Sequence, residues 1–527
     1  MGMLDHAWLG VLAVFQGPAA FSLFGLPVSF TLLLVFAGFL LGIVVGATPG
    51  LAGPMAMAIS LPILISIFGY APDALLPVMG FLIGVMKGAT IGGAVPAILF
   101  NTPGTPDAFM TTLDGHPMAR AGKAGKALRV AHFSSVAGDT FSDVVLVLCA
   151  PFLALLVEAY LDLPEKTALL ILSLSFIAAV VGGSPGKGLI STGLGLLAVY
   201  VASGDDFYPR LSLGTETLAR GFSVTTAVLG VLILGAVFEG MEEAFRDHRR
   251  RAGGSTYVQK GDQVLRLADM RRLMPYIGQS AVIGTVIGAL PGIGSTLAAT
   301  LGYTLGRKRH QTRRKPGAPE FGDGVPEGVA ATEAANSAVS GANLIPVLSL
   351  GIPGNAAAVF LILAADSIGG FTPGPSVFRV PSEGINPELV VAFGLFTAMF
   401  VANGLNWTLG GLFMRSMGVM TRAPKHILLP IVLLLTLTAI YVQEPRMEAI
   451  LFALGFGFLG FFMRKCGISP LPFVIAYILG STLEQTARQA FAATGGDPFF
   501  LFSSPVAAIF MLGAVSVIVF TARKPIS

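Results

Sequence analysis

Residues 42–51 read GIVVGATPGL and residues 284–293 read GTVIGALPGI, a Pro-Gly break that recurs inside two apolar stretches. Six of the ten positions are identical, at a constant offset of 242. A second break follows each copy: Pro96 and Pro103-Gly104 in the first half, Pro346 and Pro353-Gly354 in the second, both offset by 250. Proline removes a backbone donor and clashes with the preceding turn, while glycine adds conformational freedom. In lipid the freed backbone groups need partners, so such segments persist only where they line a protein cavity. Broken helices at matching places in two halves point to a transporter's substrate site.

The composition sets the class as an all-α polytopic membrane protein. Only 12% of the 527 residues are charged and mean hydropathy is +0.78, whereas a soluble domain carries about 25% charge. Apolar runs near the ~20 residues of a bilayer crossing occur at 29–47, 144–157, 169–181, 223–237, 390–405, 427–442 and 506–521. Residues 8–26 read as a retained first span or interfacial helix, because a secretory n-region and cleavage site are absent. Cys149 and Cys466 are the only cysteines, so no metal or disulfide framework is expected. The six histidines lie at or near polar loops or termini and no HExxH occurs, which leaves a membrane enzyme without support.

Charge placement gives the topology. Twenty-five of the 33 Lys and Arg fall at 120–129, 246–272, 307–315, 415–425, 464–465 and 523–524. The positive-inside rule makes these cytoplasmic loops and a cytoplasmic C-terminal tail, and the N-terminus is placed on the same side. No segment is long enough to carry them as a nucleic-acid surface. In the first half the basic loop follows the second break; in the second half it lies between the breaks, at 307–315. The halves therefore enter the membrane from opposite sides, an inverted-topology duplication. The expected organisation is an N-terminal transmembrane half over 1–245, a cytoplasmic linker over 246–272 and a C-terminal transmembrane half over 273–527.

Length separates the two kinds of break. Residues 274–306 begin and end beside basic clusters, and two full crossings at 1.5 Å per residue need ~40 residues. A re-entrant helical hairpin with Pro291-Gly292 near its tip fits, and 29–68 is its counterpart with Pro49-Gly50 near the tip. Residues 75–112 and 325–365 read as discontinuous crossing helices. Four further crossings fit between Arg129 and Arg246, with an exterior loop at 204–217. The total is about 12 membrane elements, with 470–488 an amphipathic segment of undecided placement.

The residues at the breaks suit an anionic substrate. A helix restarting after a break offers free N–H groups and the positive end of its dipole. Around the breaks stand Thr48, Pro49, Gly50, Asn101, Thr102, Pro103, Gly104, Thr105, Gly292, Ser295, Thr296, Pro353, Gly354 and Asn355. Their hydroxyls and amides can bind a carboxylate, or they can merely cap broken helices. Lys87 is the basic residue deep inside a span (FLIGVMKGATIGG), facing a substrate carboxylate, or else snorkelling or pairing with an internal acid. Asp107, Glu333 and Asn336 are candidates for a coupling ion, Na⁺ or H⁺, or for plain contact with cytoplasmic water. Glu333 and Asn336 are three apart and share a helix face.

The ordered series GATPGLAGPMA (46–56), IGGAVPAILFNTPGTPDA (91–108), LDGHPMARAGKAGKAL (113–128), EGVAATEAANSA (327–338) and IPVLSLGIPGNAA (345–357) resembles the large permease subunit of the tripartite tricarboxylate transporters, nearly end to end. The resemblance implies a secondary transporter of a bacterial inner membrane that imports an organic carboxylate, driven by an ion gradient and without a cofactor. It also implies two partners, a small four-span membrane subunit and a periplasmic solute-binding protein. The hairpin-plus-broken-helix repeat is similar to that of elevator-type carboxylate transporters, an analogy of fold alone. Asn343 and Thr332 depart from the family's usual small residue and proline, which bears on the second-half site. A carboxylate channel or facilitator and, behind it, a membrane enzyme are the rival readings.

Overall fold

The breaks divide the apolar sequence into pairs of helices, and those pairs are what the computed structural model displays. It describes residues 2–23, 26–48, 51–102, 105–181, 184–202, 210, 221–247, 263–292, 294–313, 317, 319–416 and 425–522. Pro49, Gly50, Pro103 and Gly104 lie outside the described residues, as do nearly all of the acidic loop at 204–217 and most of the linker at 246–272. Among the described residues, eight helices are long and apolar enough to cross a membrane, from Phe30–Ala47 to Met447–Lys465. The protein is therefore a multi-pass membrane protein, nearly all α-helical.

Two compact units divide the chain. The first takes residues 1–154, 249–290 and 294–424; the second takes 155–248, 291–293 and 425–527. Each draws on both halves of the sequence.

The first unit holds the repeated pattern. Its first helical hairpin pairs Phe30–Ala47 with Gly53–Phe68, and its second pairs Leu267–Gly288 with Gly294–Arg313. The first broken helix runs Leu75–Gly92, turns at Gly93, continues as Ala94–Phe100 and stops. The second runs Pro326–Ala342, turns at Asn343, continues as Leu344–Leu350, stops, and restarts as Ala356–Ile368. Each stop is a residue in the left-handed region, Asn101 at φ +53° and Gly351 at φ +71°. These two are again 250 apart, as are the turns at Gly93 and Asn343.

Small residues decide how the hairpins pack. Gly38, Gly42 and Gly46 face the backbone of Phe81, Val85 and Ala89, while Gly84, Gly88 and Gly92 face that of Val35, Phe39 and Ile43. A Cβ at any of these six would run into main chain, so the close approach requires glycine. In the second half, Gly284 lies against Ala335 and Gly288 against Val339. These repeat the contacts Gly42–Val85 and Gly46–Ala89 at offsets of 242 and 250. The duplication thus extends from sequence to packing. Helix Pro387–Leu405 lies on the first broken helix, and Ala124–Tyr160 follows the short helix Thr112–Arg120.

In the second unit Leu163–Val181 packs on Pro470–Ala493 and Pro505–Ala522, and Pro185–Ala202 packs on Pro470–Ala493. Val224–Val228, a π-helical stretch Leu229–Leu234 and Gly235–Asp247 pack on Met447–Lys465. Here Gly235 and Gly460 bring two backbones together.

One sequence expectation is revised, and one segment of undecided placement takes a definite form. Residues 8–26 do not form one helix: helix Met3–Phe15 ends before Gly17-Pro18, and an antiparallel ribbon of Ala19–Leu23 with Leu26–Ser29 follows. Glycine and proline there end the helix, and the apolar run continues as strand. The segment at 470–488 is a full helix, Pro470–Ala493, whose start buries Phe473, Val474 and Ile475.

Candidate functional site

At the first hairpin's turn, Thr48 ends the incoming helix, buried, with its hydroxyl donating to the Val44 carbonyl at 2.8 Å. At the first broken helix, Asn101 is the one described non-glycine residue with positive φ. Its backbone N–H closes on the Pro96 carbonyl while its side chain is exposed. Asparagine is among the few side chains that tolerate this geometry. The Thr102 hydroxyl donates to the Phe100 carbonyl at 3.2 Å.

The second break has the same construction with buried parts. Ile352 N–H reaches back to the Pro346 carbonyl at 3.1 Å, and Pro353 and Gly354 are buried. Gly354 lies against the Asn343 side chain at the turn of the same helix. Asn355 then caps the restarting helix, its Oδ1 accepting from Ala358 N–H at 2.9 Å. That leaves the earlier N–H groups of this helix, with its positive dipole end, available to an anion. In this structure the polar groups of Thr48, Thr102 and Asn355 are turned to their own backbone, the capping arrangement.

Residues from the two halves meet in the first unit. Thr296, in the first turn of Gly294–Arg313, donates to Asp107 Oδ1 at 2.9 Å, joining the second hairpin to the segment after the first break. Ser295, half-buried, precedes it. The Thr111 hydroxyl donates to Glu333 Oε1 and lies 3.2 Å from the Thr332 hydroxyl. Glu333 is fully buried, and its Oε2 has no partner among the described residues. Asn336 is buried one turn further along the same helix. Asp114, on the helix Thr112–Arg120, gathers N–H groups of Gly322, Gly324 and Val325 on Oδ1 at 3.0, 3.0 and 2.8 Å. Burial pushes the Asp114 carboxyl above its ordinary range, and the donors from Val325 and Gly322 pull the other way. Gly292, at φ +83°, is grouped with the second unit.

Lys87 is fully buried and its ammonium is held by acids rather than left open for a ligand. Nζ donates to Asp139 Oδ1 at 2.6 Å and to Asp143 Oδ1 and Oδ2 at 2.8 and 2.7 Å. Asn403 Nδ2 adds a bond to Asp143 Oδ2 at 2.7 Å. Sequence reasoning passed over Asp139, Asp143 and Asn403, as it did Thr111 and Asp114. A signal was present for the two acids: a lysine inside a span requires a counter-charge. AGDTFSD (137–143) supplies two acids four apart, on one helix face.

The family model described as Tripartite tricarboxylate transporter TctA family matches residues 32–475. An Agrobacterium vitis protein described as an uncharacterized 52.8 kDa protein in the TAR-I ttuC' 3' region is 30% identical over 480 residues, 90% of this chain and 89% of that protein. A second Agrobacterium vitis protein, described as an uncharacterized protein in the TAR-II ttuC' 3' region, is 30% identical over 240 residues, 45% of this chain and 92% of that protein. No solved structure matches.

Proposed function

The chain belongs to the tripartite tricarboxylate transporter TctA family, a transporter family and not an enzyme family, and on that premise we propose that it imports organic carboxylates driven by an ion gradient. In this reading it is the large permease subunit of a bacterial inner-membrane carrier, with both termini cytoplasmic. A small four-span subunit completes the membrane part, and a periplasmic solute-binding protein delivers a tri-, di- or monocarboxylate. About 12 membrane elements carry an inverted repeat, each half with one re-entrant hairpin and one discontinuous helix. The hairpins and broken helices move against the remaining helices, as in an elevator.

The observation that carries the reading is the meeting of break residues from both halves, through the bond from Thr296 to Asp107 at 2.9 Å. Around that junction the substrate carboxylate is bound by helix-restart N–H groups and by the side chains of Asn101, Thr102, Ser295, Thr296 and Asn355. Asp107, Glu333 and Asn336 are the coupling-ion candidates, for Na⁺ or H⁺. Lys87 is left out of the substrate site because its ammonium is already occupied by Asp139 and Asp143.

Two substitutions separate capping from ligand binding. Asn101→Gly keeps the left-handed turn and Asn355→Ser keeps an N-cap, while both remove the amide. Thermal stability should be retained, whereas the apparent affinity for the carboxylate in reconstituted uptake should fall at least ~10-fold, about 1.4 kcal/mol. Unchanged affinity in both variants would move the substrate elsewhere. Non-saturating, gradient-independent flux in the unmodified protein would favour the channel reading instead.

A further inference from the structure

The Lys87 cluster contains one cation and two acids. Lys87, Asp143 and Asp139 keep 0%, 1% and 5% of their side-chain surface. With both carboxylates ionised the group would hold one uncompensated negative charge in a dry interior, and such a charge costs several kcal/mol unless it is neutralised. The two acids are not equivalent. Asp143 receives three hydrogen bonds, from Lys87 on both oxygens and from Asn403. Asp139 meets Lys87 through Oδ1 alone and is the more exposed of the pair. Beside them Asn403, 3% exposed, keeps Oδ1 without a partner among the described residues, although its Nδ2 is bound into the cluster. An orphaned buried acceptor at this point lacks a proton donor.

Among the described residues, Lys87 is the only cation within hydrogen-bond reach of Asp139 and Asp143. Helix Phe30–Ala47 presents glycines and apolar side chains to the Lys87 helix. Helix Pro326–Ala342 presents Gly341, which lies against the Asp143 carboxylate, while its own acids are engaged elsewhere, Glu327 by Arg272 and Glu333 by Thr111. Helix Pro387–Leu405 presents Asn403. On the acids' own helix His132, two turns before Asp139, has its Nε2 at 2.9 Å from the Asn406 carbonyl.

We propose that Lys87, Asp139, Asp143 and Asn403 form an intramembrane proton-binding site in which Asp139 takes up and releases the coupling proton. Asp143 stays ionised as the counter-ion of Lys87. A proton from water adds to Asp139 and turns its carboxylate into a carboxylic acid, taking the cluster from net −1 to neutral; release to the other side reverses this. The change reaches the second broken helix through Gly138, the residue before Asp139, which packs directly on the Ala334 backbone. The inference rests on the reading of the chain as a gradient-driven carrier, names its coupling ion as H⁺ and places that ion on Asp139 in preference to Asp107, Glu333 and Asn336.

The test is infrared difference spectroscopy of the full chain in lipid vesicles during pH jumps, with protons as the only ligand and ¹³C-aspartate labelling to assign bands. The unmodified protein should show a protonated-aspartate carbonyl band that is lost as pH rises, with release of ~1 proton per chain. The band should disappear in Asp139→Asn, shift out of the aspartate label in Asp139→Glu, and persist in Glu333→Gln. No titrating aspartate band in the unmodified protein, which needs no variant to fold, overturns the proposal. So does a band that survives in Asp139→Asn. In a second arm, reconstituted carboxylate uptake should follow a pH gradient; uptake that follows Na⁺ alone overturns the coupling assignment. Absence of uptake under any gradient, with the band behaving as stated, would instead refute the carrier reading and leave the proton site standing.

Discussion

Lys87→Met tests the charge cluster as a stability element. Methionine retains most of the alkyl length but removes three contacts of 2.6, 2.7 and 2.8 Å and leaves Asp139 and Asp143 without a counter-ion. Breaking a buried pair by removing one partner costs about 3–5 kcal/mol, because the charge left behind stays desolvated. Since 1.4 kcal/mol is a factor of ten, that is roughly a 10²- to 4 × 10³-fold shift in the folding equilibrium. Neutralising the cluster as a whole behaves differently, since replacing all members of a buried ionic group is often close to neutral. The triple variant Lys87→Met, Asp139→Asn, Asp143→Asn should therefore recover at least about half of the loss. The assay is thermal unfolding in one detergent, followed by intrinsic fluorescence and by size-exclusion recovery after heating. Lys87→Met should melt on the order of 5 °C below the unmodified protein, with the triple variant between them. A single variant as stable as the unmodified protein, or a triple variant no better than the single, would refute the energetic reasoning.

Other substitutions check other parts of the structure. Gly84→Ala places a methyl against the Val35 carbonyl and 2.7 Å from Phe39 N; overpacking of this kind costs about 1–3 kcal/mol and should lower the melting temperature. Gly193→Ala meets nothing within 4 Å inside helix Pro185–Ala202 and should be neutral or stabilising by about 0.5–1 kcal/mol in the same assay. Asp114→Ala strands the N–H groups of Gly322, Gly324 and Val325; a cost of at least ~2 kcal/mol should accompany faster amide exchange at residues 322–325. At Asn101, with φ +53°, valine should lower stability by about 1–2 kcal/mol while glycine does not, measured side by side by thermal unfolding.

The fold was legible in the sequence wherever backbone chemistry controls it. Proline and glycine broke the helices in the second repeat where their offsets indicated, and the repeat offsets also relate Gly42–Val85 to Gly284–Ala335 in the packing. Composition identified a multi-pass protein because so few residues are charged. Near the N-terminus apolar length alone is a poor guide, because Gly17-Pro18 ends a helix inside an apolar run that then forms strands. Of the candidate site, the capping positions could be read from local spacing, and the junction of Asp107 with Thr296 could not. That contact joins residues 189 apart in the chain, and neither break encodes its partner. Asp139 and Asp143 precede a long apolar run and so have the local pattern of a helix entry. Lys87, 52 and 56 residues earlier, is what makes them interior.

Reconstituted uptake tests the central claim most directly. Vesicles holding the chain with its small membrane subunit, supplied with loaded binding protein, are offered a panel of radiolabelled tri-, di- and monocarboxylates with and without an imposed pH or Na⁺ gradient. The account predicts saturable accumulation of at least one carboxylate above its external concentration, only when a gradient is present and the binding protein is supplied. Equilibration without accumulation, at a rate unaffected by either gradient, would contradict it.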